Sequence, residues 1–341
     1  MNALHMDATG RRSVLEKPEL KILSKRCAVM VKKNDKKGFD AFEQEYIASP
    51  DADENGRQLL VSYRALLDLE SLASDSSLAE RFRPGMWWMR GPYPGNFGDV
   101  LTPYVVWHAF GVAPRWTGPK NADGIAIGSI AKFARSGTKV WGSGMPRETD
   151  TLAADAIWSA VRGPLSREAI LKAGGTVPEI YGDPAVLLPE IYNPEVEKTA
   201  DIGIIPHVLQ EERIRRNLER SPGSDRVKLI SLRAGRFDQI EDVIRQIKSC
   251  REIVSTSLHG VIVAHAYGIP CQSARVVGEE EVGDSFKMRD YKLSVGLNDH
   301  PIGIPREFED LEWLEQRVCS LPPRPIDTAL LRSAFPFPVN K

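Results

Sequence analysis

The chain has 341 residues, with 45 Lys plus Arg against 46 Asp plus Glu and a formal net charge of -1. That balance removes the electrostatic case for a dedicated nucleic-acid binder, so no nucleic-acid partner is expected. Hydrophobic residues at 42% and charged residues at 27% exclude a disordered chain, and the length suits two domains.

Residues 1 to about 38 read as a tail or loosely attached arm, dense in cations: Lys21, Lys25, Arg26, Lys32, Lys33, Lys36 and Lys37. A solvated face is the ordinary reading of such a run. A contact with anionic lipid, at ~1 kcal/mol per cation, is the sharper one. Helices are expected over Phe39 to Ile47 and Asn55 to Ser71, the second with Leu59, Tyr63, Leu66, Leu67 and Leu69 on one stripe. From Met86 onward short apolar runs alternate with helical patterns. Met86 to Met89 reads as a strand, followed by a Gly/Pro-rich loop and a helix from Val100 to Phe110. Gly124 to Ile130, Thr138 to Trp141 and Ala156 to Val161 are further runs, and a helix with Ser166 near its start follows the last. Leu188 to Glu195 holds two prolines and no period, which predicts an interdomain linker. The pattern restarts with strands at Asp201 to Ile205 and Val227 to Leu232, then a helix from Phe237 to Cys250 and a strand at Glu252 to Ser255. Leu258 to Tyr267 is apolar nearly all round and predicts a buried helix. An amphipathic helix is expected from Phe308 to Leu321, before a Pro-rich tail.

Strands that end in small residues and lead into helices imply parallel α/β construction. The expected division is a basic arm and helical extension over 1–85, α/β domains over 86–190 and 191–305, and a C-terminal helix and tail over 306–341. No apolar run reaches the ~20 residues needed to span a bilayer, and charge interrupts the N-terminal residues where a signal peptide would lie. Cys27, Cys250, Cys271 and Cys319 form no C-x-x-C pair and read as buried thiols. A cytoplasmic protein is the expectation.

Ligands of open α/β sheets bind past the carboxyl ends of strands. Gly95-Asn96-Phe97-Gly98-Asp99 follows the Trp-rich strand, where glycine admits close backbone approach. Asn96 and Asp99 are candidate contacts there, although a plain turn uses the same residues. Gly128-Ser129 and Gly142-Ser143-Gly144 end two apolar runs, so Gly128, Ser129 and Gly144 can line a phosphate or sugar pocket through backbone N–H groups. Neither stretch is a G-x-G-x-x-G or Walker sequence. Arg162 follows a strand directly, and its planar fork, facing the cleft, suits a carboxylate or phosphate.

Val254-Ser255-Thr256-Ser257-Leu258-His259-Gly260 is the strongest signal. Its hydroxyls can cap the next helix. His259 falls in that helix's first turn, where exposed amides and the dipole attract anions and a histidine can donate a proton. A structural histidine at a cap is the rival reading. His207 follows a strand at the start of the second domain and could face the same cleft, while His265 should sit on the buried face. Lys287, Arg289 and Asp290 either line the cleft or belong to a plain surface helix. No H-E-x-x-H, Cys/His cluster or G-x-S-x-G elbow supports a metal centre or a serine hydrolase.

The ordered set NFGDVLTPY, GIAIGSI, VWGSGMP, VRGPLS, YGDPAVLLP, GIIPH, STSLHGVIVAHAYGIP and FKMRDY, from Asn96 to Tyr291, resembles the polysaccharide pyruvyl transferase family, and within it the enzymes that decorate bacterial exopolysaccharides. The resemblance implies a GT-B-like α/β fold, two Rossmann-like domains facing an interdomain cleft, with the helical N-terminal extension outside the match. It implies transfer of a pyruvyl group from phosphoenolpyruvate to a sugar as a cyclic ketal, with release of phosphate. Catalytic roles fall on Arg162 and His259, and substrate binding on Asn96, Asp99, Gly128, Ser129, Gly144, His207, Ser257 and Lys287. Phosphoenolpyruvate is a co-substrate, and no cofactor or metal is implied. Some members carry a second arginine where this chain has Ser257, so donor binding must lean on Arg162, on backbone amides or on Lys287. A lipid-linked acceptor at the inner membrane face would give the basic arm a peripheral membrane role. A GT-B glycosyltransferase using a nucleotide sugar and a non-catalytic sugar-binding protein are the alternatives.

Overall fold

The computed structural model describes residues 5–6, 12–13, 18–74, 82–89, 93–279, 285–298, 300–316 and 323–339. Near the start, β1 (His5–Met6) and β2 (Arg12–Ser13) pair antiparallel. Three helices follow: α1 (Pro18–Lys32), α2 (Lys36–Ala48) and α3 (Glu54–Ser74). They close on Leu20, Leu23, Cys27, Phe39, Phe42, Leu59, Leu60 and Leu67, all buried. The expectation of a loose arm is therefore corrected for residues 18–38, while most of residues 1–17 lie outside the described residues. Leu20, Leu23 and Cys27 recur at i, i+3 and i+7, a helical stripe hidden among the lysines. α3 ties these helices to the rest of the molecule, because Asp68 accepts from the Phe237 amide at 3.1 Å.

The first sheet holds β3 (Gly85–Met86), β4 (Arg115–Trp116), β5 (Gly124–Ile125), β6 (Lys139–Trp141) and β7 (Ile157–Ala160). All are parallel, in spatial order β4-β3-β5-β6-β7. α4 (Phe97–Phe110) follows β3, and α5 (Pro164–Lys172) follows β7. Only the first two residues of the expected Met86 to Met89 strand region lie on or beside the ladder. Its remainder runs on toward α4 as irregular backbone.

The segment expected to be a linker begins inside the core. A 3-10 turn at Pro184–Leu187 leads into α6 (Leu188–Ile191), packed between α4 and the later helix that carries His259. Leu187 and Leu188 are fully buried. Pro189 sits at a helix start, where a missing N–H costs nothing, and only Pro194 lies in the irregular backbone after α6.

The second sheet holds β8 (Ala200–Ile205), β9 (Val227–Leu229), β10 (Cys250–Ser255), β11 (Cys271–Val276) and β12 (Ile302–Ile304). Its order is β12-β11-β10-β8-β9, again all parallel. Its helices are α7 (Glu211–Arg220), α8 (Phe237–Lys248), α9 (Leu258–Ala266) and α10 (Phe286–Ser294). Counted along the chain within each sheet, both run 2-1-3-4-5. Each sheet thus reverses direction once, between β3 and β5 and between β8 and β10. Those are the switch points where open α/β sheets bind ligands.

One continuous core runs through both units, joining Trp88, Phe97 and Tyr104 to Ile205, Ile253 and Val261. The helix expected over Phe308 to Leu321 is only a 3-10 turn, Glu312–Gln316, and residues 317–322, with Cys319, lie outside the described residues. Cys27, Cys250 and Cys271 are buried thiols. The Pro-rich tail forms α11 (Thr328–Ser333), which returns to the first sheet: Trp141 Nε1 donates to the Leu331 carbonyl at 2.8 Å. Phe335 stacks on Phe110 with ring centroids 4.0 Å apart.

Candidate active site

The loops after β8 and β10 are fastened to each other before either can hold a ligand. Ser255 Oγ accepts from the Ser257 amide and donates to the Ile205 carbonyl, both at 3.0 Å. Thr256 Oγ1 accepts from the His207 amide at 2.8 Å and donates to Gln210 Oε1 at 2.7 Å. The hydroxyls expected to cap α9 are spent on this junction. Ser257 is the cap residue by position, but its side chain makes no capping bond. The result is a fixed placement of His207 and His259 at the switch point of the second sheet.

The switch point of the first sheet meets them. Asn96 Oδ1 caps α4 by accepting from the Gly98 amide at 3.0 Å. Gly98 leaves room for the imidazole: a Cβ there would fall 2.0 Å from His259 Nδ1. Gly128, just past β5 and at φ +102°, would place a Cβ 3.8 Å from His259 Cε1. His259 therefore lies against the first turn of α4 and beside the loop after β5, while standing in the first turn of its own helix. Two helix N-termini converge on it, a setting that favours anions.

Asp183 completes the group. It is fully buried, and its Oδ2 accepts from the Gly128 amide at 3.1 Å while Oδ1 caps the following turn through the Ala185 amide at 3.0 Å. The same Oδ2 lies 3.7 Å from His259 Nε2, which is buried and makes no hydrogen bond. At that separation the two groups are in electrostatic contact without a hydrogen bond.

Charge links the remaining candidates. Asp99 is half-buried, and burial pushes its carboxyl up to about 6 against the pull of His259. Burial pushes the His207 imidazole down to about 4, with Lys287 and His259 acting in the same direction. His207 Nδ1 accepts from the Leu209 amide at 3.3 Å, which leaves its proton on Nε2 in the neutral ring. A cavity of about 190 Å³ opens beside this row, lined by His207, Thr256, Lys287 and Lys292 among others. Among the described residues no three His, Cys, Asp or Glu side chains converge as a metal ion would require.

Arg162 is not where a cleft-facing arginine would be. Its side chain is fully buried. Nη1 donates to Ser129 Oγ and Nη2 to the Met145 carbonyl, both at 2.6 Å, and Nε donates to Asp290 Oδ2 at 3.1 Å. Gly144 makes room for the guanidinium, since a Cβ there would lie 2.4 Å from Arg162 Cζ. Asp290 in turn accepts from the Ser166 amide and hydroxyl at the start of α5. Of the two readings given for Lys287, Arg289 and Asp290, the plain surface helix is thus corrected: Asp290 is buried and Lys287 and Arg289 line the cavity. β7 is an edge strand of its sheet, and α10 crosses from the second unit to cover its end. Gly163 allows that approach, because a Cβ there would fall 1.9 Å from the Asp290 carbonyl oxygen.

His259, Asp99 and Gly128 are brought together, with His207 and Lys287 beside them. Arg162 and Gly144 stand one layer behind, reaching the site through Ser129. Asn96 caps α4, and Ser257 holds the cap position of α9 without a side-chain capping bond. Sequence reasoning missed Asp183, named Gly98 only as part of a glycine-bearing turn, and named Asp290 as a cleft residue without its pairing to Arg162. An Asp before Pro at the head of an apolar run, as in Asp183-Pro184, is a capping signal and marks that residue. Nothing local marks Arg162 as the partner of Asp290.

The sequence model of the polysaccharide pyruvyl transferase family matches residues 115–271. That span holds Gly128, Ser129, Gly144, Arg162, Asp183, His207, Ser257 and His259, and the match bears out the resemblance drawn from the motifs. An uncharacterized protein of Acanthamoeba polyphaga mimivirus is 31% identical over 176 residues, which cover 50% of this chain and 59% of that relative. No solved structure matches the chain.

Proposed function

We propose that this chain transfers the pyruvyl group of phosphoenolpyruvate to a saccharide, forming a cyclic ketal across two hydroxyls and releasing phosphate. The observation that carries the reading is His259, held where both switch points meet, between two helix N-termini and beside a buried carboxylate. The donor carries a carboxylate and a phosphate, and exposed helix amides suit both.

His259 gives a proton to the terminal methylene of the donor, so C2 becomes oxocarbenium-like. A sugar hydroxyl adds to C2 and loses its proton, and Asp99, with its carboxyl pushed up to about 6, is placed to take it. The C2–O bond to phosphate then breaks, the phosphate departs with the bond's electron pair, and C2 becomes cationic again. The second hydroxyl adds, passes its proton to the His259 ring that gave one to the methylene, and closes the ring. Asp183 sets a carboxylate beside the ring of His259 and anchors the Gly128 amide, and Arg162 acts from behind by fixing Ser129. His207, neutral above pH about 4, serves as a hydrogen-bonding wall and not as the acid.

The test is to incubate the full chain with phosphoenolpyruvate and lipid-linked oligosaccharides, following phosphate release and the mass of the saccharide. The expected product carries one pyruvyl ketal. His259→Gln should slow phosphate release by about 100-fold or more, the usual worth of a positioned general acid. Release that ignores this substitution, or turnover of UDP-sugars in its place, overturns the reading.

A further inference from the structure

The outer face of α1 has a composition that intramolecular packing does not explain. Successive residues of a helix turn by about 100°. On that wheel Leu20, Leu23 and Cys27 fall together and are buried against α2 and α3. The opposite side carries Ile22 and Val29, seven residues apart and therefore on one line. They are 61% and 51% exposed. Lys21, Lys25, Lys32 and Lys33 flank them, all exposed. No carboxylate occurs from Leu20 to Asn34. Arg26 is turned back, its guanidinium 4.0 Å from the centre of the Phe42 ring. Chain-wide the charges nearly cancel, so this face is a local concentration of cations with two aliphatic side chains in their midst.

We propose that this face of α1 docks onto an anionic lipid bilayer, the lysines at the headgroups and Ile22 and Val29 inserted between them. Charge complementarity decides for lipid. A second copy of the chain would bring the same cations against these. A bilayer surface offers negative charge at the plane where the ammonium groups lie and an apolar layer just beneath it, which is the depth order the two aliphatics and the longer lysines require. The helix is rigidly mounted: Leu23 and Cys27 key it to α3, and α3 packs on α4, which carries Asp99 at its start. Docking would therefore orient the whole molecule. The inference is independent of the chemistry proposed above.

Truncation is the wrong test, because removing α1 would expose the cluster it buries. The full chain is instead mixed with vesicles of phosphatidylcholine alone or of equimolar phosphatidylcholine and phosphatidylglycerol, and the bound fraction is read by flotation. Binding to the anionic vesicles only is expected, and it should fall away near 1 M salt, where the screening length is about 3 Å. Lys25→Gln, Lys32→Gln and Lys33→Gln together should weaken partition about 100-fold, since each cation is worth roughly fivefold. Ile22→Ser with Val29→Ser should weaken it at unchanged net charge. Circular dichroism checks that both variants keep the helical content of the parent. Equal binding to neutral vesicles, or a lysine variant that partitions like the parent, overturns the proposal. So does dimerisation of the parent in solution that the lysine variant abolishes, because the face would then belong to a second copy.

Discussion

Gly98 shows how much of the site is set by one missing methyl group. Alanine in a helix is ordinarily favoured over glycine by about 1 kcal/mol. Here its Cβ would fall 2.0 Å from His259 Nδ1, so the ring must move. Gly98→Ala should cut turnover at least tenfold in the phosphate-release assay. In a His259→Ala background the same change should be neutral or stabilising to urea, and a cost that persists there would show that the clash lies elsewhere. Asp99 and His207 supply a second residue-scale test. Asp99 loses its proton near 3.8 when unfolded and at about 6 when folded. Between those values the folded state holds the extra proton, so stability falls as pH rises. His207 ionises at about 4 when folded and near 6.5 when unfolded. There the unfolded chain holds the extra proton, and stability rises with pH. The two oppose each other over nearly the same window. His207→Gln should unmask a fall of up to ~1.4 kcal/mol per pH unit between about 4 and about 6, and Asp99→Asn a rise over the same range. Urea midpoints across the window read both, and parallel curves for the two variants would refute the opposed titrations.

Among the elements, α10 decides more than its nine residues suggest. Its Asp290 receives the Arg162 fork and caps α5 through Ser166, so one buried carboxylate organises a strand end and a helix start of the other unit. Taking away one partner of such a pair leaves a buried charge uncompensated, which costs about 3–5 kcal/mol. Asp290→Asn should lower stability by an amount of that order, measured by urea unfolding, and also reduce turnover, because Ser129 and the Gly128 loop lose their backing. Parent-like stability would mean that the pair is dispensable. α1 and α6 illustrate the limits of local reading. The lysines of α1 drew attention from its Leu20, Leu23 and Cys27 stripe. Pro189 of α6 suggested a break where the structure has a buried turn. α9 was legible throughout, because a helix that is apolar all round can only be buried.

At the scale of the whole molecule, two five-stranded parallel sheets with the same strand order share one core. Trp88 and Phe97 of one unit and Ile253 and Val261 of the other belong to the same cluster, so neither half keeps a complete interior without its neighbour. A single cooperative unfolding transition is expected by calorimetry, and two resolved transitions would show that the halves fold as independent domains.

The sequence by itself determined which residues end strands and open helices. Periodicity, capping and small residues at turns act within a few positions of the chain, and the motifs around Gly128, Arg162 and His259 carry the family likeness in the same short range. What it left undecided was every pairing over distance: the order of strands that sets the two switch points face to face, the reach of Asp183 to Gly128 across 55 positions, and the burial of Arg162 by Asp290 across 128. Such contacts are selected by how whole layers pack and by which charges remain to be neutralised once water is excluded. No local pattern around Arg162 reveals that a helix from the other unit will cover it.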